Sequence, residues 1–311
     1  VLNLNKPAGL TSHDVVDAVR AILGTRRVGH TGTLDPPATG VLPVCVGRAT
    51  KIAQYLTQAD KEYLITMRLG VTTDTLDGAG RVLTRVDALG VTRAELEATL
   101  PRFQGEILQT PPLYSAKRIG GQRLYRLARR GETVERQPVR LMIHRLALVE
   151  VALPDVRLLV GCSKGTYARA LCDDIGRALG CGAYLHELVR TRSGRFEIAT
   201  AIGLEALRAL VEAGRLGEVL VPVSEALAHL PAIRVGPEFA RPILQGGGIP
   251  AGAVVASAPE VGRGATVRVL GPRGQLLCLA QALLDSADLP GPDPRRPAFA
   301  PTRVFRWAAD A

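Results

Sequence analysis

Apolar and polar positions along this chain keep two rhythms, and the changes between them mark out its elements. Residues 2–6 alternate with a period of two, as a short strand does, and Pro7-Ala8-Gly9 turns the chain out of it. Val15, Val16, Val19, Ile22 and Leu23 then fall on one face of a helix that Thr11 or Ser12 can cap. A nearly unbroken apolar run at 40–46 predicts a buried strand, and Gly47-Arg48-Ala49-Thr50-Lys51 opens a helix bearing Ile52, Ala53, Tyr55 and Leu56. Residues 61–70 alternate as a half-buried strand. Thr92, with Glu95 three positions on, is a capping-box start for a helix over 92–103. A basic helix is expected from Gln122 or Arg123 to Arg130, with Leu124, Leu127 and Ala128 as a narrow stripe and Gly131 as its stop. Residues 139–151 and 156–161 read as two strands, and Cys162-Ser163-Lys164-Gly165-Thr166 leads from the second into another helix. Residues 201–230 read as a helical connector carrying Leu204, Leu207, Leu210 and Val211.

Beyond Leu230-Pro231 the composition shifts to Gly, Pro and Val with short strands at 254–257, 265–270 and 275–282, a small β-rich module. The Pro-rich stretch 289–294 reads as an irregular loop within it, and no internal repeat is evident. The chain's 311 residues accordingly suggest one large domain followed by a smaller one. No apolar run approaches the ~20 residues of a membrane span, and Val1 to Pro7 lacks the character of a signal peptide. A cytoplasmic protein is expected, with no membrane partner.

Charge narrows the partner. A net charge of +10 favours a polyanion, with nucleic acid foremost. Of the 39 basic residues only five are lysines (Lys6, Lys51, Lys61, Lys117 and Lys164), and none follows position 164. Cys45, Cys162, Cys172, Cys181 and Cys278 make an odd set without a Cys-x-x-Cys pair, and no His-Glu-x-x-His occurs, so neither disulfides nor a metal are expected.

The least ordinary stretch is Gly29-His30-Thr31-Gly32-Thr33-Leu34-Asp35-Pro36-Pro37-Ala38-Thr39-Gly40-Val41-Leu42. Its glycines permit positive φ and close backbone approach, while the two prolines fix φ and bias Asp35 to an extended conformation. A carboxylate held this way loses little freedom on meeting a substrate. Taken alone, Leu-Asp-Pro-Pro is more commonly a turn in which Asp caps its own backbone. It is not a phosphate loop, because no Gly-Lys-Ser/Thr follows the glycines. A second segment, Ser163-Lys164-Gly165-Thr166-Tyr167-Ala168-Arg169, lies between strand and helix, where amide groups can meet an anion.

These two segments resemble the active-site motifs of the TruB family of tRNA pseudouridine synthases. So do Lys6-Pro7-Ala8-Gly9, Lys61-Glu62-Tyr63 and Tyr184-Leu185-His186-Glu187-Leu188, and the match spans most of residues 3–192. The resemblance implies an α/β (α+β) fold with a mixed, largely antiparallel central sheet flanked by helices. It implies a catalytic domain over 1–230, with a basic tRNA-binding insertion at about 105–137, and a PUA-like module over 231–311. The implied reaction converts the T-loop uridine of tRNA, conventional position 55, to pseudouridine by flipping the base out, without a cofactor.

By the same resemblance Asp35 is the catalytic residue, Tyr63 stacks on the base, and Arg169 pairs with Asp35. His30, Tyr167 and Leu188 shape the pocket, and Lys6 supports the catalytic loop. A guanidinium beside a carboxylate depresses its pKa, so Arg169 is expected to hold Asp35 ionised. Lys51 is expected to reach a phosphate. Lys117, Arg118, Arg123, Arg126, Arg129 and Arg130, with Tyr114 and Tyr125 interleaved, are expected to grip the T-stem and loop. The loop at 72–78 is expected to be scaffold, and Arg190 and Arg192 scaffold or RNA contacts. Where the family more usually has Leu-Arg-Arg, this chain has Leu188-Val189-Arg190. A monomer is expected. Two alternatives stay open, a non-catalytic RNA-binding or chaperone protein and a guide-dependent synthase of the dyskerin type.

Overall fold

The computed structural model describes residues 1–115, 118–119, 122–124, 127, 130, 134–257, 261–289 and 293–305. The strands are β1 (Leu2–Lys6), β2 (Val28–His30), β3 (Thr39–Val46), β4 (Lys61–Leu69), β5 (Val71–Thr73), β6 (Val82–Arg85), β7 (Gly105–Gln109), β8 (Arg118–Ile119), β9 (Gln122–Arg123), β10 (Val139–Ala152), β11 (Asp155–Cys162), β12 (Ala183–Ser193), β13 (Phe196–Glu197), β14 (Ala232–Val235), β15 (Ile249–Pro250), β16 (Val254–Ser257), β17 (Thr266–Leu270), β18 (Leu276–Ala282) and β19 (Pro297–Val304). The principal helices are α1 (Ser12–Leu23), α2 (Ala53–Thr57), α3 (Arg93–Thr99), α4 (Ala168–Ala178), α5 (Leu204–Glu212), α6 (Val223–Ala226) and α7 (Pro237–Leu244).

The large sheet runs β1-β3-β12-β4-β11-β10-β7, with β2 added on β3 and β13 on β12. Only β3 and β12 pair in parallel; every other neighbour is antiparallel, which is the mixed, largely antiparallel sheet expected. β4 sits at its centre because Ile65, Met67 and Leu69 are all apolar on one face, and Leu171, Cys172 and Ile175 of α4 bury them. At the other end α1 lays Val15, Val16 and Val19 on Leu2, Leu4, Leu42 and Val44, with Leu207 of α5 beside them. Thr11 supplies the cap for α1, in a capping box with Asp14, and Thr92 with Glu95 does the same for α3.

The second sheet runs β15-β19-β18-β17-β14-β16 and uses only residues after 231. β18 is apolar on both faces for a reason. Leu277, Cys278 and Ala280 join the sheet's own core with Phe299 and Ile243, while Leu276 and Leu279 pack, with Phe305, against Val41, Cys45, Ala49 and Ile52. The two sheets are thereby joined by a shared apolar cluster, and Arg268 of β17 donates to the carbonyls of Leu230 and Ser224 at 2.9 and 3.0 Å.

Two expectations need correction. Residues 47–52 form a 3-10 turn before α2, so the helix expected there is short. Gln122 and Arg123 form β9, paired with β8 in a hairpin that sets Arg118 opposite Arg123, so no helix begins at either residue. Leu124 and Leu127 are helical and buried, which fits their expected role as the inward stripe.

Candidate active site

Asp35 lies in the loop between β2 and β3, and the loop is fastened on both sides of it. On one side Ser12 accepts from the Leu34 amide at 2.8 Å and donates to the Leu34 carbonyl at 3.1 Å. On the other the buried Lys6 ammonium donates to the carbonyls of Pro7, Leu10 and Pro36 at 2.8, 2.6 and 3.1 Å, and the Gly9 amide also donates to Pro36. The Ala38 amide closes the turn on the Asp35 carbonyl at 3.1 Å. The carboxylate is thus held by its backbone before any substrate arrives. Of the loop's glycines Gly40 alone has a positive φ, +102°, and a Cβ there would stand 2.3 Å from the Arg190 carbonyl oxygen.

Arg169, near the start of α4, reaches Asp35 at 3.1 Å, so two segments far apart in sequence meet as expected. Its guanidinium is 8% exposed and also faces Asp77 at 3.5 Å. It further donates to the carbonyls of Thr75 and Tyr114 at 3.1 and 2.8 Å. Asp77 comes from the loop expected to be scaffold, and it is a partner at the site instead. Its own turn aims it: Thr75 Oγ1 and the Ala79 amide donate to Asp77 Oδ1 at 2.5 and 3.1 Å. Leu76 beside it takes φ 63°, a strained conformation for a branched apolar residue, with its carbonyl bound to the Leu185 amide.

The net electrostatic effect on Asp35 departs from expectation. Arg169 does pull its pKa down, but burial acts more strongly and Asp77 adds to it, so the carboxyl is held above its ordinary range. The side chain keeps 46% of its surface accessible, yet the protein packed around it displaces enough bulk water to disfavour the charge.

Tyr63 stands on β4 opposite Arg190 of β12 and next to the Ile65–Leu188 pair, so Tyr63, Arg190 and Leu188 share a face of the sheet. Leu188 and Tyr63 are both partly buried against the main core. Arg190 is 1% exposed. It donates to the carbonyls of Val41 and Gly32 at 2.6 and 3.2 Å, and it stands across from Tyr63 in the strand register. Burial raises the Tyr63 pKa, and Arg190 opposes that shift. His30 accepts from the Gly32 amide through Nδ1 at 3.3 Å, and burial together with the Arg190 charge lowers its pKa. The ring is therefore neutral, with Nε2 left as its donor. Tyr167 is the N-cap residue of α4, and its backbone is clasped by Gln109, which accepts from its amide at 2.8 Å and donates to its carbonyl at 3.2 Å.

Lys51 stands apart from this group. It donates to the Val304 carbonyl at 3.2 Å, in a groove of about 790 Å³ lined by Arg48, Thr50, Gln54, Thr302 and Arg303 at the junction of the two sheets. Lys117, Arg126 and Arg129 lie outside the described residues, as does Tyr125. Arg118 and Arg123 are described as hairpin backbone, and Arg130 is exposed, donating to Gln122 at 2.6 Å. Asp77 and Arg190 are the two site residues that sequence reasoning did not assign. Nothing in the mostly polar stretch Leu185 to Ser193 sets Arg190 apart in sequence from its neighbour Arg192.

Among known proteins, residues 20–168 match the model for "TruB family pseudouridylate synthase (N terminal domain)", and residues 169–228 match that for "tRNA pseudouridylate synthase B C-terminal domain". The chain is similar to tRNA pseudouridine synthase B of Stutzerimonas stutzeri, 44% identical over 293 residues and 93% of either chain. It is similar also to tRNA pseudouridine synthase B of Symbiobacterium thermophilum, 50% identical over 249 residues, which are 79% of this chain and 81% of that one. Among solved structures, the crystal structure of a Cbf5-Nop10-Gar1 complex matches 98% of this chain and 84% of its own at a TM-score of 0.80 and 30% identity. An H/ACA RNP bound to a substrate RNA containing 2'-deoxyuridine matches with a TM-score of 0.79 and 28% identity, over the same shares of the two chains.

Proposed function

The chain belongs to the TruB family of pseudouridine synthases, and from that premise we propose that it isomerises uridine 55 in the T-loop of tRNA. The observation that carries this reading is Asp35 fastened 3.1 Å from a buried Arg169. The reaction breaks the bond from C1′ to N1 of uracil, turns the base, and forms a bond from C1′ to C5. C5 gives up a proton and N1 gains one, so no electrons enter or leave and no cofactor is needed.

In this reading the uridine leaves its stack and lies against Tyr63 and Leu188, with base–aromatic stacking contributing ~1–3 kcal/mol. Asp35 acts as nucleophile or base at the ribose or the base. Arg169 aims it and offsets part of the cost of its burial. His30 donates through Nε2 to the everted nucleotide, and Tyr167 flanks the pocket. Residues 1–230 form the catalytic domain, and the insertion at about 105–137 covers the T-stem and loop through Lys117, Arg118, Arg123, Arg126, Arg129 and Arg130. Residues 231–311 form a PUA-like module, and Lys51, with Arg48 and Arg303 in the groove beside it, continues the cationic track along the RNA backbone.

The test is to incubate an unmodified tRNA transcript with the purified protein alone and to map pseudouridine. Conversion at position 55 is expected. Absence of product would overturn the reading. One rival is a guide-dependent enzyme, and product that appears only after a guide RNA is added would support it.

A further inference from the structure

Gln109 closes β7, the last strand of the large sheet, and is 1% exposed. An amide side chain taken out of water is destabilising unless both its ends find partners. Both do, and on the same residue: Oε1 accepts from the Tyr167 amide at 2.8 Å, and Nε2 donates to the Tyr167 carbonyl at 3.2 Å. The side chain thus pairs with the Tyr167 backbone as a neighbouring strand would. Tyr167 is the N-cap residue of α4 and makes no cap bond with its own side chain, so the clasp comes from outside the helix. An apolar residue at 109 would fill the space and leave the Tyr167 amide without this acceptor.

What the clasp holds is the root of Arg169, two residues further along. The tip of that side chain is reached from the same stretch. Beyond Gln109 the chain passes Pro111 and Pro112, whose rings stiffen it, to Tyr114, whose carbonyl accepts from Arg169 at 2.8 Å. One segment therefore holds Arg169 near its backbone and at its guanidinium, and from there the guanidinium meets Asp35 at 3.1 Å. The Thr75 carbonyl at 3.1 Å and Asp77 at 3.5 Å steady the guanidinium from another loop. A side chain as long as arginine aims only as well as its backbone is fixed, and a misplacement of about 1 Å at a catalytic group is enough to slow a reaction about 100-fold.

We propose that Gln109 is a positioning residue, which sets the aim of Arg169 at Asp35 by clasping the backbone of Tyr167. The inference rests on the pseudouridine-synthase reading of the site and adds to it a residue from the strand that leads into the RNA-gripping insertion. Gln109 acts through Arg169 and not on the nucleoside. The charges that act on Asp35 are those of Arg169, Asp77 and Lys6, and Gln109 is neutral. Exchanging it for another neutral residue therefore alters the ionisation of Asp35 only by moving one of those groups.

The test is the pH profile of single-turnover pseudouridine formation on an unmodified tRNA transcript, with RNA affinity measured by filter binding and folding by circular dichroism. Gln109→Met, close in size but unable to make either bond, is expected to slow the rate by about 10- to 100-fold while leaving RNA affinity within about threefold. Its acid limb is expected at higher pH, as when Arg169 itself is lost. Gln109→Asn, which keeps the amide on a shorter arm, is expected to retain more activity than Gln109→Met and to shift the limb less. In an Arg169→Met background, Gln109→Met is expected to leave the limb where it is. An acid limb that stays at the wild-type position in Gln109→Met would overturn the proposal, as would a loss confined to RNA affinity or a further shift in the Arg169→Met background. If Gln109→Met does not fold, an unmoved limb in Gln109→Asn overturns it. Failure of both variants to fold would do so too, since Gln109 would then serve the framework alone. A wild-type protein that forms no pseudouridine would instead overturn the functional reading, which separates the two failures.

Discussion

Asp35 carries a charge that its surroundings resist, and the resistance has consequences that can be measured. Its pKa is raised, so the ionised form is reached only above the usual carboxylate range, and activity is expected to fall as pH drops through that raised value. Arg169 lowers the Asp35 pKa and Asp77 raises it. Arg169→Met should therefore move the acid limb of the rate profile to higher pH. Asp77→Asn should move it to lower pH, while slowing the reaction because Arg169 loses a partner that fixes its aim. The opposite signs are the check, read from single-turnover rates across pH. Linkage gives a second expectation. A carboxyl with a raised folded pKa adds stability below its unfolded pKa and loses it as pH rises through the folded one. Asp35→Asn should thus unfold at no lower urea concentration than the wild type at neutral pH, even as it loses activity by about 10⁴-fold or more. Asp35, Tyr63 and Arg169 were legible because each sits in a motif of unusual residues. Asp77 and Arg190 were not. A charged letter looks the same in sequence whether it faces water or the core, and only the sheet register shows that Arg190 faces Tyr63 and Gly40.

The elements that hold these residues were legible to different degrees, for physical reasons. Strands with clean alternation or a full apolar run, β1, β3, β4, β10 and β11, fall where the hydrophobic pattern predicts them. β12 had no such pattern, because it lies inside the sheet next to the cleft and carries charged residues on the face that looks into it. β19 was masked by Pro297 and Pro301; Pro301 is accommodated where the register with β18 slips, a position that needs no ladder donor. The Asp35 loop depends on two neighbouring elements, and each dependence can be tested. Ser12→Ala at the start of α1 removes both bonds to Leu34, and leaving those buried groups unpaired should cost about 1–3 kcal/mol in urea unfolding. Gly40→Ala in β3 sets a Cβ against the Arg190 carbonyl at a left-handed φ, and a loss of about 2 kcal/mol or more is expected by the same measurement. Both variants should lose activity beyond what their stability explains, since both disturb the backbone that aims Asp35.

At the scale of the whole molecule the apolar cluster between the two sheets is the decisive feature. Phe305 is fully buried there, against residues of β3 and the turn that follows it. Phe305→Ala is expected to cost about 3–5 kcal/mol in urea unfolding followed by circular dichroism. The composition shift after Pro231 was legible as a change of module. The joining of the modules was not, since Leu276 and Leu279 look like any core leucines until β18 is seen to be covered on both faces. β3, which leaves the Asp35 loop, turns its other side to this cluster. A premature stop codon after residue 230 would therefore not yield a pared-down enzyme. It would strip the covering from the far side of the very strand that steadies the reactive carboxylate, and the truncated product would clump or be degraded before its chemistry could be assayed.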